Sequence, residues 1–326
     1  MRNKDSLVKP FAIVILVGFL FLVPTIIDSP YWVSVFVIMG INVLLTASLR
    51  TIGLLNQTSL GHVGFTLIGA YVSAILMMQL GLPFGLTLLI AGLAAGLVGL
   101  ALGYPFLRVK GIYFTMLTLL TAETFRLGAW NWKDMTGGAL GLVDIPSPGV
   151  MGPLDFSDVH NYYYLMLFVV GVSLFVLFRL EHSPLGFRWR AIRDAENLAQ
   201  SVGINSIAYK MFNFAIACFF AGIAGALFAH YQHGLSADIG SRFGVIMSLY
   251  LVMYMFIGGQ SSFAGPIVGV IVLTFISEFA RPLKEFQPML IGAIAILVAV
   301  FLPTGLVSLP EQIRRRFVAR LNSGQE

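Results

Sequence analysis

SPLGFRWRAIRDAENLAQSVG (residues 183–203) is followed closely by KMFNFAIACFFAGIAGALFAHY (residues 210–231). The second stretch is apolar on every side and has about the 20 residues that a helix needs to cross a bilayer. The first is too polar to cross. Its apolar residues Leu185, Trp189, Ile192, Ala195, Ala199 and Val202 recur in steps of three and four, one face of a helix opened by Pro184 and ended by Gly203. Arg188, Arg193, Asp194, Glu196, Asn197 and Gln200 supply the polar remainder. Periodicity alone leaves two readings open. One is a helix lying at the membrane interface, anchored by Trp189 and its arginines. The other is a helix docked in a groove on a partner protein.

The same alternation of apolar runs and polar joints extends along the chain. Charged residues make up 11% of the 326 residues, against about 25% in soluble domains, and 58% are hydrophobic. The fold class expected is therefore all-α: a polytopic membrane protein with about ten spans, near 11–27, 31–49, 58–79, 85–107, 111–129, 161–179, 207–230, 243–258, 264–280 and 287–307. Glycines four apart (Gly92 and Gly96, Gly99 and Gly103, Gly265 and Gly269), with Ala221 and Gly225, predict close helix packing. Residues 1–326 read as one membrane domain, and the apolar run after Met1–Pro10 as a retained first span without a cleavage site.

Charge sets the expected orientation. With the N-terminus in the cytoplasm, the inner side collects Arg2, Lys4, Lys9, Arg50, Arg108, Lys110, Arg179, Arg188, Arg190, Arg193, Lys210, Arg314, Arg315, Arg316 and Arg320. The outer side keeps Arg126, Lys133, Arg242, Arg281 and Lys284, the asymmetry of the positive-inside rule. Both termini and residues 183–203 then face the cytoplasm, and a Pro- and Gly-rich loop over 130–161, with Asp134, Asp144, Asp155 and Asp158, faces outward. The net charge of +5 is a topology and headgroup signal, and no nucleic-acid partner is expected.

Several polar residues inside or beside the spans are candidate sites. Asn56, Gln57, Ser59 and His62 form the most polar span start, read either as lining a translocation path or as capping and inter-helix hydrogen bonding. Glu123 with Arg126, and Glu278 with Arg281, lie one turn apart near outer helix ends. They read as an outer gate or a contact for a binding protein, or as ion pairs that fix helix ends. His230 and His233 lack companions for a metal site, and lone Cys218 reads as a small buried hydrophobe. No cofactor or catalytic residue is expected. A P-loop needs Lys followed by Ser or Thr; the lysines here are followed by Asp, Pro, Gly, Asp, Met and Glu. Energy for active transport would have to come from another polypeptide.

Residues 190–205 (RAIRDAENLAQSVGIN) and the apolar run after them resemble the permeases of branched-chain amino acid ABC importers, of the LivM type. Further blocks in the same order are TSLGHVGFTLIGAYVSA (58–74), KGIYFTMLTLLTAETFRL (110–127), TGGALGLVDIP (136–146), FIGGQSSFAGPIVGV (256–270) and LPTGLVSL (302–309). Departures from the family pattern fall at GLLNQT (53–58) and at Ala139-Leu140. The resemblance implies an inner-membrane subunit that imports amino acids or similar small polar solutes. The implied partners are a second homologous permease, two ABC ATPase subunits and an external solute-binding protein. It also implies that residues 183–203 engage the ATPases, with Arg188, Arg190, Arg193, Asp194, Glu196, Asn197 and Gly203 as the coupling residues. The alternative class is an ion-coupled secondary transporter or channel using Glu123 and Glu278.

Overall fold

The computed structural model describes residues 21–27, 29–151, 154–238, 240–302 and 305–308. Residues 21–26 are helical; the rest of the first expected span lies outside the described residues. So do Arg2, Lys4, Lys9, Pro153, Pro303, Thr304, Leu309, Arg314, Arg315, Arg316 and Arg320.

The other nine expected spans are helices. They are α1 (Pro30–Gly53), α2 (His62–Leu80), α3 (Phe84–Phe106), α4 (Ile112–Asn131), α5 (Val159–Glu181), α8 (Ser206–Gln232), α9 (Val245–Gly258), α10 (Gly265–Phe279) and α11 (Gln287–Phe301). Between α5 and α8 lie two short helices, α6 (Pro184–Asp194) and α7 (Glu196–Ser201). Five of these, α1, α2, α3, α5 and α8, are long and apolar enough to cross a membrane. At 1.5 Å per residue, α4 is also about 30 Å long, whereas α9, α10 and α11 reach only about 21–23 Å.

Helices α1 and α8 form the centre: 72% of the apolar window of each is buried, against 33% for α3 and 28% for α5. Helix α8 packs chiefly on α3 and α2, and α1 on α5 and α8. Missing side chains make these approaches possible. A Cβ on Gly225 would stand 2.0 Å from the Thr66 carbonyl oxygen, and one on Gly69 would stand 2.2 Å from that of Gly222. The α3 glycines Gly92, Gly96 and Gly99 face α8, the last against the buried Cys218.

The 130–161 loop holds one helical turn, Lys133–Thr136, and three two-residue strands: β1 (Leu142–Val143), β2 (Val150–Met151) and β3 (Leu154–Asp155). Strand β2 pairs antiparallel with β3, and β1 with β4 (Gly234–Leu235). The two histidines fasten this loop to the end of α8. His230 Nδ1 meets the Pro146 carbonyl oxygen at 2.8 Å, and His233 Nδ1 that of Ile145 at 2.9 Å.

Candidate functional site

Helix α6 begins as its sequence dictates: the Ser183 hydroxyl accepts from the Leu185 N–H at 3.2 Å, and Pro184 occupies the first turn. It does not run on to Gly203 as expected. Ala195 is extended (φ −155°, ψ 82°), which divides the segment into two short helices. The end after α7 is as expected. Gly203 adopts φ +87°, and the Ile204 N–H reaches the Ala199 carbonyl oxygen at 3.0 Å.

The break divides the expected apolar face. Trp189, Ile192 and Ala199 are buried, while Ala195 and Val202 are exposed, as are Phe187 and Leu198. Trp189 is 0% exposed and packs within the protein, so it is not a membrane-interface anchor. Its seat is a small cluster with Ile192, Ala199, Leu54 and Leu55, and its Nε1–H donates to the Tyr209 carbonyl oxygen at 3.1 Å.

Charge closes the seat. The Glu196 carboxylate receives Lys210 Nζ at 2.5 Å and Lys110 Nζ at 3.0 Å, tying α7 to the starts of α8 and α4. Burial works to raise the Glu196 pKa, but the two ammonium groups outweigh it and hold the carboxyl below its ordinary value. Arg188 donates to the Tyr209 hydroxyl and lies over its ring. Of the other expected coupling residues, Arg193 pairs with Asp194 at 2.8 Å on the exposed side, Asn197 is exposed and Arg190 is partly buried.

Leu54 and Leu55 lead from this seat into a connection that was expected to be helical from residue 58. It is not helical until His62. Asn56 takes φ +56° and is exposed; Gln57, Ser59 and His62 are buried. Helix α4 satisfies the irregular backbone: Thr115 Oγ1 donates to the Thr58 carbonyl oxygen at 2.7 Å, and the Leu60 N–H donates to Thr118 Oγ1 at 3.2 Å. His62 Nε2 lies 2.7 Å from Ser48 Oγ of α1. Among the described residues, Gln57 Oε1 and His62 Nδ1 are buried without a hydrogen-bond partner.

A third feature was missing from the sequence reading. Arg50, at the end of α1, makes a bidentate pair with Glu181, the last residue of α5, at 2.6 and 2.9 Å. Its Nε donates to the Gln260 carbonyl oxygen at 3.0 Å in the turn between α9 and α10. The available signal was Arg50 at the end of one apolar run and Glu181, with Arg179 beside it, at the end of another, 131 residues apart from Arg50 to Glu181.

The two outer pairs form but differ. Arg126 is 3% exposed, binds Glu123 through Nε at 2.9 and 3.0 Å, and donates from Nη1 to the Ala237 carbonyl oxygen at 2.6 Å. Glu278 and Arg281 stand 3.8 Å apart, and the Tyr31 hydroxyl hydrogen-bonds with both.

Comparison with known proteins identifies the family. The family model described as "Branched-chain amino acid transport system / permease component" matches residues 25–301. The high-affinity branched-chain amino acid transport system permease protein LivM of Escherichia coli is 32% identical over 86% of this chain and 69% of its own length. LivH of the same organism, named as a permease protein of the same transport system, is 23% identical over 79% of this chain and 88% of its own. The guanosine ABC transporter permease protein NupQ of Bacillus subtilis is 28% identical over 52% of this chain and 58% of its own. No solved structure matches.

Proposed function

Because the chain belongs to the family of branched-chain amino acid transport system permease components, we propose that residues 183–203 are its coupling element and Leu54–Gly61 the link that carries their motion inward. The protein is a multi-pass membrane permease subunit of an ABC importer. Its cargo is placed among branched-chain and other amino acids, or similar small polar solutes. In this reading ATP is bound and hydrolysed by two separate ATPase subunits. A second, homologous permease completes the pathway and an external binding protein delivers the solute. Both termini face the cytoplasm, and residues 1–326 act as one membrane domain.

One observation supports the coupling role above the rest. The coupling segment is pinned on one side and bare on the other. Its inner side rests on Leu54 and Leu55 through Trp189. Its outer side presents Phe187, Leu198 and Val202 at 66–71% exposure, together with Arg193, Asp194 and Asn197. Exposed apolar residues rimmed by charge suit a protein groove. The connection to α2 begins at the seat and runs past Gln57, Ser59 and His62, and irregular backbone held by neighbouring helices is a recurrent construction around transport paths.

The test is reconstitution of the chain with its companion permease, ATPases and binding protein in proteoliposomes. Leu198→Asp with Phe187→Asp should abolish ATPase co-purification while the permease still inserts. Full co-purification and uptake by that variant would remove the coupling assignment.

A further inference from the structure

Arg50, Arg126 and Lys210 are exposed by only 2%, 3% and 6%, and each is neutralised by a carboxylate of this chain: Glu181, Glu123 and Glu196. Arg242 is held differently. It stands between β4 and α9, reaches into the bundle, and makes no ion pair among the described residues. Its Nη1 donates to Asn42 Oδ1 on α1 at 2.9 Å, and its guanidinium carbon lies 5.1 Å from the Phe228 ring centroid. A guanidinium keeps its charge and offers five N–H donors, so a neutral amide and a ring face leave it short of an anion. A guanidinium set among apolar side chains without a counter-charge is costly, and in a membrane protein function is the default reason for retaining one.

The surroundings specify what would complete it. Arg242 lines a small cavity of about 10 Å³, room for about one water. The aliphatic wall is Ile41, Leu45, Val63 and Met247, with Phe228 and Phe243 beside it. We propose that Arg242 is the residue that binds the carboxylate of the transported solute, in a site that opens between α1, α2, α8, α9 and the Arg242 loop. The solute class is an α-amino acid with an aliphatic side chain. Its carboxylate takes the guanidinium from Asn42; Asn42 Oδ1, set free, accepts from the α-ammonium group; the side chain lies on Ile41, Leu45 and Val63. Arg242 is only partly buried, which leaves the head group an approach. Val63 and Thr66 lie in the first turns of α2, so the site is joined to the connection that starts at the coupling seat.

This inference rests on the importer reading, and the assay separates the two. The complete complex in proteoliposomes, with ATP and loaded binding protein, is assayed for L-leucine taken up per ATP hydrolysed. Arg242→Gln should lower that ratio at least tenfold, and Arg242→Lys, which keeps the charge and loses the fork, should fall between it and the native protein. Both variants should co-purify with the complex. Uptake by Arg242→Gln within twofold of native would overturn the proposal. So would equal losses in the Lys and Gln variants, since charge would then be irrelevant and the residue only a pin for its loop. If the native complex carries only a solute without a carboxylate, such as a nucleoside, the Arg242 site falls and the permease stands. If it carries nothing, both fall.

Discussion

Replacing Glu181 by alanine strands a charge. Arg50 is 2% exposed, and the carboxylate supplies two of its hydrogen bonds, at 2.6 and 2.9 Å; among the described residues the Gln260 carbonyl oxygen, at 3.0 Å, and the Phe263 ring, 5.8 Å away, remain. A hydrogen bond to a charged group contributes about 1.5–3 kcal/mol, so losing two removes about 3–6 kcal/mol. The cost measured on breaking buried ion pairs, about 3–5 kcal/mol, agrees. Most of that cost is the stranded guanidinium and not a missing attraction. The double variant Arg50→Met with Glu181→Leu should therefore recover most of the loss, because apolar replacements of a buried pair are often neutral. Reversible unfolding by SDS in mixed micelles, followed by circular dichroism, measures each corner of the cycle. A coupling energy of at least about 2 kcal/mol is expected, within the range for residues in contact. A Glu181→Ala cost under about 1 kcal/mol, or a double variant costing the sum of the two singles, would refute the reasoning.

Three further outcomes follow from the same geometry. Trp189→Ala empties the seat beneath α6 and α7 of its largest side chain, at a cost of about 3–5 kcal/mol. Limited proteolysis should then cut within residues 183–205 at least tenfold faster, while the transmembrane fragments stay intact. Glu196 has a depressed pKa, so its contribution is fully present above the unfolded value of 4.5 and is lost as pH falls through the lower folded value. Protease protection of the segment should be flat from pH 5 to 8 and decline only below pH 4.5, and Glu196→Gln should lower the plateau. Gly225→Val places a Cβ 2.0 Å from the Thr66 carbonyl oxygen and should abolish accumulation of folded protein on size-exclusion chromatography, whereas Gly171→Val, where nothing lies within 4 Å, should not.

Helices were legible where the governing interactions are local. The expected run 207–230 is Ser206–Gln232 in the structure, because apolar length is written in adjacent residues. The outer pairs, one turn apart, were legible for the same reason. The break at Ala195 was not, since alanine is the best helix former and no neighbour signals a stop. What accompanies it is distant in sequence: Lys110 and Lys210 meet at Glu196, the first residue of α7. Residues 58–61 misled in the same way. They read as the first turn of a span, yet Thr115 and Thr118 on another helix take the hydrogen bonds that a first turn would need. The Arg50–Glu181 clamp and the Arg242–Asn42 contact join residues 131 and 200 positions apart, and no pattern within a window shows which charges meet.

The attachments of α6 and α7 determine what a push on them can do. Glu181, two residues before the segment, is clamped to the end of α1 by Arg50. Trp189 rests on Leu54 and Leu55, just beyond that end, and bonds to Tyr209 of α8. Glu196 grips the start of α8 and the approach to α4. A displacement of the segment therefore pulls on α1, α4, α5 and α8 together at one end of the bundle. Farther along, α8 meets α2 and α3 through glycines whose approach leaves no room for a Cβ, and close-packed contacts of that kind resist bending. The pull is then relieved by tilting packed helices as a body and by movement in the irregular stretch 57–61, where the Thr58 carbonyl and the Leu60 N–H bond to α4 side chains. Shear of that kind shifts the first turns of α2, and with them Val63 and Thr66, relative to Asn42 and Arg242. If residues 183–203 couple as proposed, their contact with Leu54 and Leu55 is the route, and the loss of Trp189 should uncouple uptake from ATP hydrolysis even where the ATPases still bind.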